Sequence, residues 1–151
     1  MLHVALWEPE IPPNTGNIAR LCAATGSALH LIGRLGFRLD DRSLRRAGLD
    51  YWPEVDLRRH TTLAEFDAAV AGSRVFCLST HAARPYTQAS YQDGDVLLFG
   101  GESRGLPDGV RERAGDRALV IPMPAGKVRS LNLATAVGIV LYEALRQIDL
   151  S

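Results

Sequence analysis

The sequence predicts an α/β fold, a mainly parallel sheet flanked by helices. Short β-like apolar runs alternate with helix-like segments along the chain, the pattern of a parallel sheet between helices. Several of those runs are apolar without strict alternation, as in strands covered on both faces. With 151 residues, 46% of them hydrophobic, the chain can build one core, and a single domain over 1–151 is expected.

The elements follow in order. LHVALW (2–7) reads as the first strand, and after it prolines hold the approach extended to a helix at NTGNIARLCAAT (14–25), which Asn14 or Thr15 can cap. ALHLI (28–32) is the second strand, followed by a short helix at DRSLRRA (41–47) and a weaker strand at VDLRR (55–59). TLAEFDAAVA (62–71) leads as a helix into the strand RVFCLS (74–79). The long polar stretch THAARPYTQASYQDGD then has the composition of a mobile surface segment that could cover a ligand. DVLLFG (95–100), a short helix at 107–113, ALVIP (118–122) and a helix at 131–147 complete the chain. That last helix is apolar almost all round and must be covered on more than one side. A chain this short struggles to do that alone, and Ala134, Ala136 and Gly138 permit close approach of another helix, so a homodimer is expected.

Composition narrows the function. Seventeen basic and seventeen acidic residues cancel, which argues against a highly basic nucleic-acid coat protein yet leaves room for a local basic patch. Sixteen of the basic residues are arginine, whose planar fork suits phosphate. Cys22 and Cys77 form no CxxC spacing and read as reduced, buried thiols. No membrane-spanning run and no leader pattern is visible, so a cytoplasmic location is expected.

Ligands of a parallel sheet collect at the carboxyl ends of its strands, which directs attention to four loops. In the first, Arg20 on the helix either is a solvated surface arginine or fixes an oxygen of RNA. In the second, His81 has no partner at a diagnostic spacing and reads as a surface residue. In the third, VLLFGGESRGLPDG, the glycines Gly100, Gly101 and Gly105 permit positive φ and close approach of backbone to a flat ligand, while Glu102 and Arg104 could instead pair locally. Neither GxGxxG nor GxxxxGK[ST] is present, which weakens a dinucleotide or P-loop reading. The fourth passes from IPMPAGKV into RSLN before the last helix.

Together NTGNIARLCAATG, LLFGGESRGLP and IPM followed by RSLNLATAVGIVLYEA resemble the three ordered motifs of the SPOUT RNA methyltransferases, and the likeness spans nearly the whole chain. With EPEIPPNTGNIARLCAATG, DDRSLRRAGLDYW and no added RNA-binding domain, the sequence is most similar to the minimal tRNA wobble-position ribose 2'-O-methyltransferases of that class. The resemblance implies a SPOUT fold with a C-terminal trefoil knot, a homodimer, S-adenosyl-L-methionine as cofactor without a metal, and the tRNA anticodon stem-loop as substrate. It points to Arg20 as catalytic and to Leu78, Gly100, Ile121 and Ser130 as cofactor contacts. Strand-end Met123 can add an apolar wall to that pocket and Leu131 can close part of it. Asn14, Glu102 and Asn132 are expected in support, with Glu102 organising the second-motif loop and Asn132 either bonding a ligand or capping the last helix. For tRNA, Arg42, Arg45 and Arg46 near Tyr51 and Trp52 offer a basic and aromatic patch, or simply a solvated helix face. A non-catalytic RNA-binding module on the same fold, or a methyltransferase for another RNA position, would share these features.

Overall fold

A computed structural model describes residues 1–39, 42 and 52–148. Seven strands form one sheet in the order β3-β2-β1-β6-β4-β7-β5, and every pairing is parallel. They are β1 (His3–Trp7), β2 (Ala28–Ile32), β3 (Asp56–His60), β4 (Val75–Leu78), β5 (Arg84–Pro85), β6 (Val96–Gly100) and β7 (Ala118–Val120). Helices α1 (Pro12–Thr25), α2 (Leu63–Ala69), α3 (Val110–Ala114) and α4 (Leu133–Ile148) connect or follow them.

The central strands are the apolar runs that lack alternation. All five residues of β2 are buried, as are four of the five in β6, because helices cover both faces. On one face Val4, Leu6, Leu29, Leu31 and Leu97 pack with Ile18 and Cys22 of α1 and Val137, Val140 and Leu141 of α4. On the other, Ala5, Ile32, Cys77 and Leu98 pack with Phe66 of α2 and Val110 of α3. Both cysteines are buried free thiols, one on each side of the sheet, and burial pushes the Cys22 thiol up to about 12.

Every strand expected from the sequence is present, and β5 is an addition. Arg84–Pro85 lies inside the stretch expected to be a mobile surface segment, where it pairs with β7 at the sheet edge, a position that tolerates proline. Arg84 holds this segment by donating to the carbonyls of Asp116 and Gln88, both at 2.8 Å. Thr62 caps α2 by accepting from the Glu65 amide at 3.1 Å, while Glu65 reaches back to the Thr61 amide at 2.7 Å.

Helix α1 starts earlier than its local caps suggest. Ile11 is the N-cap and Pro12 the first helical residue, where its missing N–H and fixed φ fit. Asn14 and Thr15 therefore lie inside the first turn, and neither caps the helix. The segment 41–47 falls outside the described residues except for Arg42.

Candidate active site

In a parallel sheet all carboxyl ends share one edge, and ligands bind there where the strand order reverses. Here β2 and β3 stand on one side of β1, while β6, β4 and β7 stand on the other. Leu78 ends β4, Gly100 ends β6 and Ile121 directly follows β7, so three expected cofactor contacts occupy neighbouring strands. Two interstrand spacings make that row about 10 Å wide, the scale of a nucleoside. Beyond it, Met123 and Leu131 are half-buried and Ser130 is exposed in the connection to α4. The Gly126 amide donates to the Met123 carbonyl at 3.0 Å, closing a turn with Gly126 at φ 65°. Apolar strand ends rimmed by loop amides and a serine hydroxyl suit a purine ring and ribose.

Side-chain bonds draw three loops together beside this row. Glu102 lies in the loop after β6. Its Oε1 accepts the Glu10 amide at 2.8 Å, and its Oε2 accepts the Ile11 amide at 2.9 Å and Asn14 Nδ2 at 3.2 Å. A carboxylate thus sits at the N-terminus of α1, where amides and helix dipole favour it. Asn14 Oδ1 in turn accepts from Asn132 Nδ2 at 3.0 Å, and Asn132 Oδ1 caps α4 by accepting the Thr135 amide at 3.2 Å. Asn132 therefore both caps the last helix and joins the chain Glu102–Asn14–Asn132.

The glycines of the second motif have a packing role in addition to the one expected. A Cβ on Gly100 would lie 2.2 Å from the Gly105 carbonyl carbon, and one on Gly101 would lie 2.5 Å from the Glu8 carbonyl oxygen. The loop folds back through a bridge between Gly101 and Gly105, with the Gly105 amide donating to the Gly101 carbonyl at 3.1 Å. Glycine is required for the loop to close on itself and on the end of β1. Glu8, at that end, has φ 46°, and its carboxylate accepts the Arg34 amide at 2.8 Å.

Sequence reasoning did not single out Glu10 and Ser103. Glu10 accepts the Ser103 hydroxyl at 2.6 Å and the Ser103 amide at 3.0 Å. The hydroxyl, then the amide, and after them the field of Arg104 hold the Glu10 carboxyl below its ordinary value. Both residues are ordinary polar types in loops, and only the three-dimensional approach of segments 92 or 93 positions apart reveals the pair.

Arg20 is exposed on α1, six positions past Asn14 and so about 9 Å along the helix axis. Arg42 is exposed, while Arg45, Arg46 and Tyr51 lie outside the described residues. Exposed Arg34 and Arg38 extend the basic stretch toward the strand ends. His81 is exposed, and its carbonyl accepts from Arg111 at 2.7 Å. Among the described residues no group of three or more His, Cys, Asp or Glu side chains is arranged to hold a metal ion, and no helix is long and apolar enough to cross a membrane.

The parallel sheet, the strand-end row and the joined loops define an α/β protein whose motif residues gather at one sheet edge beside the point where the strand order reverses. The chain belongs to the SpoU methylase family: the family model described as SpoU rRNA Methylase matches residues 1–142. An Escherichia coli (strain K12) protein named tRNA (cytidine(34)-2'-O)-methyltransferase is 48% identical over 149 residues, covering 98% of this chain and 94% of that one. A solved structure described as "Structural insights into the 2-OH methylation of C/U34 on tRNA" superposes with a TM-score of 0.90 at 55% identity, covering 97% of this chain and 95% of the other. The SpoU methyltransferase AviRb from Streptomyces viridochromogenes, solved with the cofactor AdoMet, has a TM-score of 0.83 at 26% identity and covers 97% of this chain and 60% of its own.

Proposed function

We propose that this protein transfers a methyl group from S-adenosylmethionine to the ribose 2'-hydroxyl of the tRNA anticodon wobble nucleotide, cytidine or uridine 34. What carries the reading is that the motif residues of a chain 48% identical to a protein named for that reaction converge on one sheet edge. Leu78, Gly100, Ile121, Met123, Ser130 and Leu131 fit the cofactor, with apolar side chains against adenine and Ser130 and loop amides at its polar edges. Bound there, S-adenosylmethionine would supply an electrophilic sulfonium methyl whose activation needs no metal.

The chain's own contribution is positioning and charge stabilisation. A guanidinium offers five donors and no acceptor, so Arg20 orients the attacking hydroxyl and stabilises the oxygen as its proton leaves to water or phosphate. Glu102 has three donors on its carboxylate and serves to organise the loops. Arg42, Arg45 and Arg46 are assigned to the RNA backbone.

We further infer a homodimer built on α1 and α4. In support, α4 buries the stripe Leu133, Val137, Val140, Leu141 and Ala144, yet leaves apolar Ile139 half-buried and Tyr142 47% exposed beyond it. A dimer would also let Arg20 of one subunit face the strand-end row of the other. The trefoil knot belongs to the same reading, supported by the placement of β7 between β4 and β5, strands consecutive in sequence.

The test of the catalytic assignment is Arg20→Ala. Its turnover is expected to fall about 100- to 1000-fold. Calorimetry is expected to show cofactor affinity unchanged. Normal turnover by this variant would overturn the role given to Arg20.

A further inference from the structure

The loops that meet at the strand ends grip each other reciprocally. Glu102 reaches from the second-motif loop to the amides of Glu10 and Ile11. Glu10 reaches the opposite way, to the amide and hydroxyl of Ser103. The inner grip is tied through Asn14 and Asn132 to α4, so it belongs to the packing of the fold. The outer grip is different. Ser103 is exposed, and the side-chain bond between Glu10 and Ser103 sits at the solvent edge.

The loop that this outer grip holds has little internal freedom. Gly100 and Gly105 are in contact too close for a Cβ, and Gly101 bridges Gly105. Gly100 thus packs directly on the backbone of Gly105 and Leu106, so the placement of that segment bears on Gly100 and the amides beside it. A contact at Ser103 therefore acts on the strand-end row without touching a ligand.

We propose that Glu10 and Ser103 are positioning residues that set the affinity of the site for S-adenosylmethionine by clasping the second-motif loop against the entry to α1. This rests on the cofactor reading given above. The bond is charge-assisted, and the low-lying Glu10 carboxyl keeps it intact throughout the neutral range. Losing it leaves the loop held by Glu102 and by the packing of Gly101 on the end of β1, with residue 103 no longer fastened to the entry of α1. The ligand then has to pay the ordering entropy that the clasp had already removed. The effect falls on binding, since the two side chains bond each other and act through the loop they hold.

The experiment is calorimetric titration of S-adenosylmethionine into the full-length wild type, Ser103→Ala, Glu10→Gln, the double variant and Ser103→Thr, with steady-state methylation of tRNA alongside. Ser103→Ala and Glu10→Gln are expected each to raise Kd and the cofactor KM about fivefold, the scale of one exposed charge-assisted bond, while kcat changes less than twofold. The double variant is expected to lose less than the sum of the singles, because both weaken the same contact, Ser103→Ala by removing the hydroxyl while its amide still donates and Glu10→Gln by removing the charge. Ser103→Thr keeps the hydroxyl and is expected to restore most of the affinity. Wild-type Kd in both single variants, additive losses, or a fall in kcat at unchanged Kd would each overturn the proposal. A wild type that binds no S-adenosylmethionine would instead overturn the cofactor reading on which it rests.

Discussion

At the scale of residues, the second-motif glycines show how a short string can be recognisable while part of its role is not. GGESRG stands out after an apolar strand, and backbone access for a ligand is the natural reading. The folded chain adds a more local demand, since Gly100 meets the Gly105 backbone where a side chain would stand. Gly100→Ala is accordingly expected to destabilise the protein by about 3 kcal/mol, the upper range for forced overpacking against backbone. Urea unfolding checks this, and an unchanged midpoint would mean that the loop relaxes freely. Glu102 was recognisable as an organiser of its loop. Its partners were not, because the Ile11 amide lies 91 positions away and nothing in either segment encodes their meeting. Glu10 and Ser103 escaped notice for the same reason.

At the scale of elements, β1, β2 and β3 place His3, His30 and His60 on one face in a hydrogen-bonded row. His3 Nδ1 lies 2.9 Å from His30 Nε2, and His30 Nδ1 lies 2.8 Å from His60 Nε2. Phe66 of α2 closes over the row, edge-on to both His30 and His60. Burial, then the neighbouring His3 and His60, lowers His30 to about 3, and burial also lowers His3 and His60. A histidine whose folded value lies below 6.5 binds fewer protons folded than unfolded. Its stabilisation is complete above that pH and is lost as pH falls from 6.5 toward about 3. Fully buried His30 alone implies a slope near 1.4 kcal/mol per pH unit once the unfolded ring is charged. Denaturant titrations at pH 7, 6 and 5 are expected to show midpoints that fall, and a flat series would contradict the buried neutral row. Strands β2 and β6 were legible because they are continuously apolar or nearly so. β5 was not, since two residues ending in proline carry no periodicity. The start of α1 was misplaced by two residues because its anion comes from another loop rather than from a local cap.

At the scale of the whole molecule, parallel strands gather the motif loops at one edge, beside the reversal of strand order where ligands of such sheets bind. The α/β class was readable from apolar runs alternating with helical segments. The knot and the pairing of subunits were expected only through likeness to a family or through an apolar surplus on α4, because threading and symmetry leave no periodic trace in a chain. The balanced charge of seventeen against seventeen hides a local concentration, with exposed Arg34, Arg38 and Arg42 in one stretch after β2. On this account, tRNA meets that arginine-bearing side and presents a single ribose at the strand ends. The most direct measurement incubates the purified protein with methyl-labelled S-adenosylmethionine and tRNA lacking the wobble modification, then digests the RNA and maps the label. The account predicts label on the 2'-oxygen of nucleotide 34. Label confined to another nucleotide, or none across a full tRNA pool with cofactor binding intact, would contradict it.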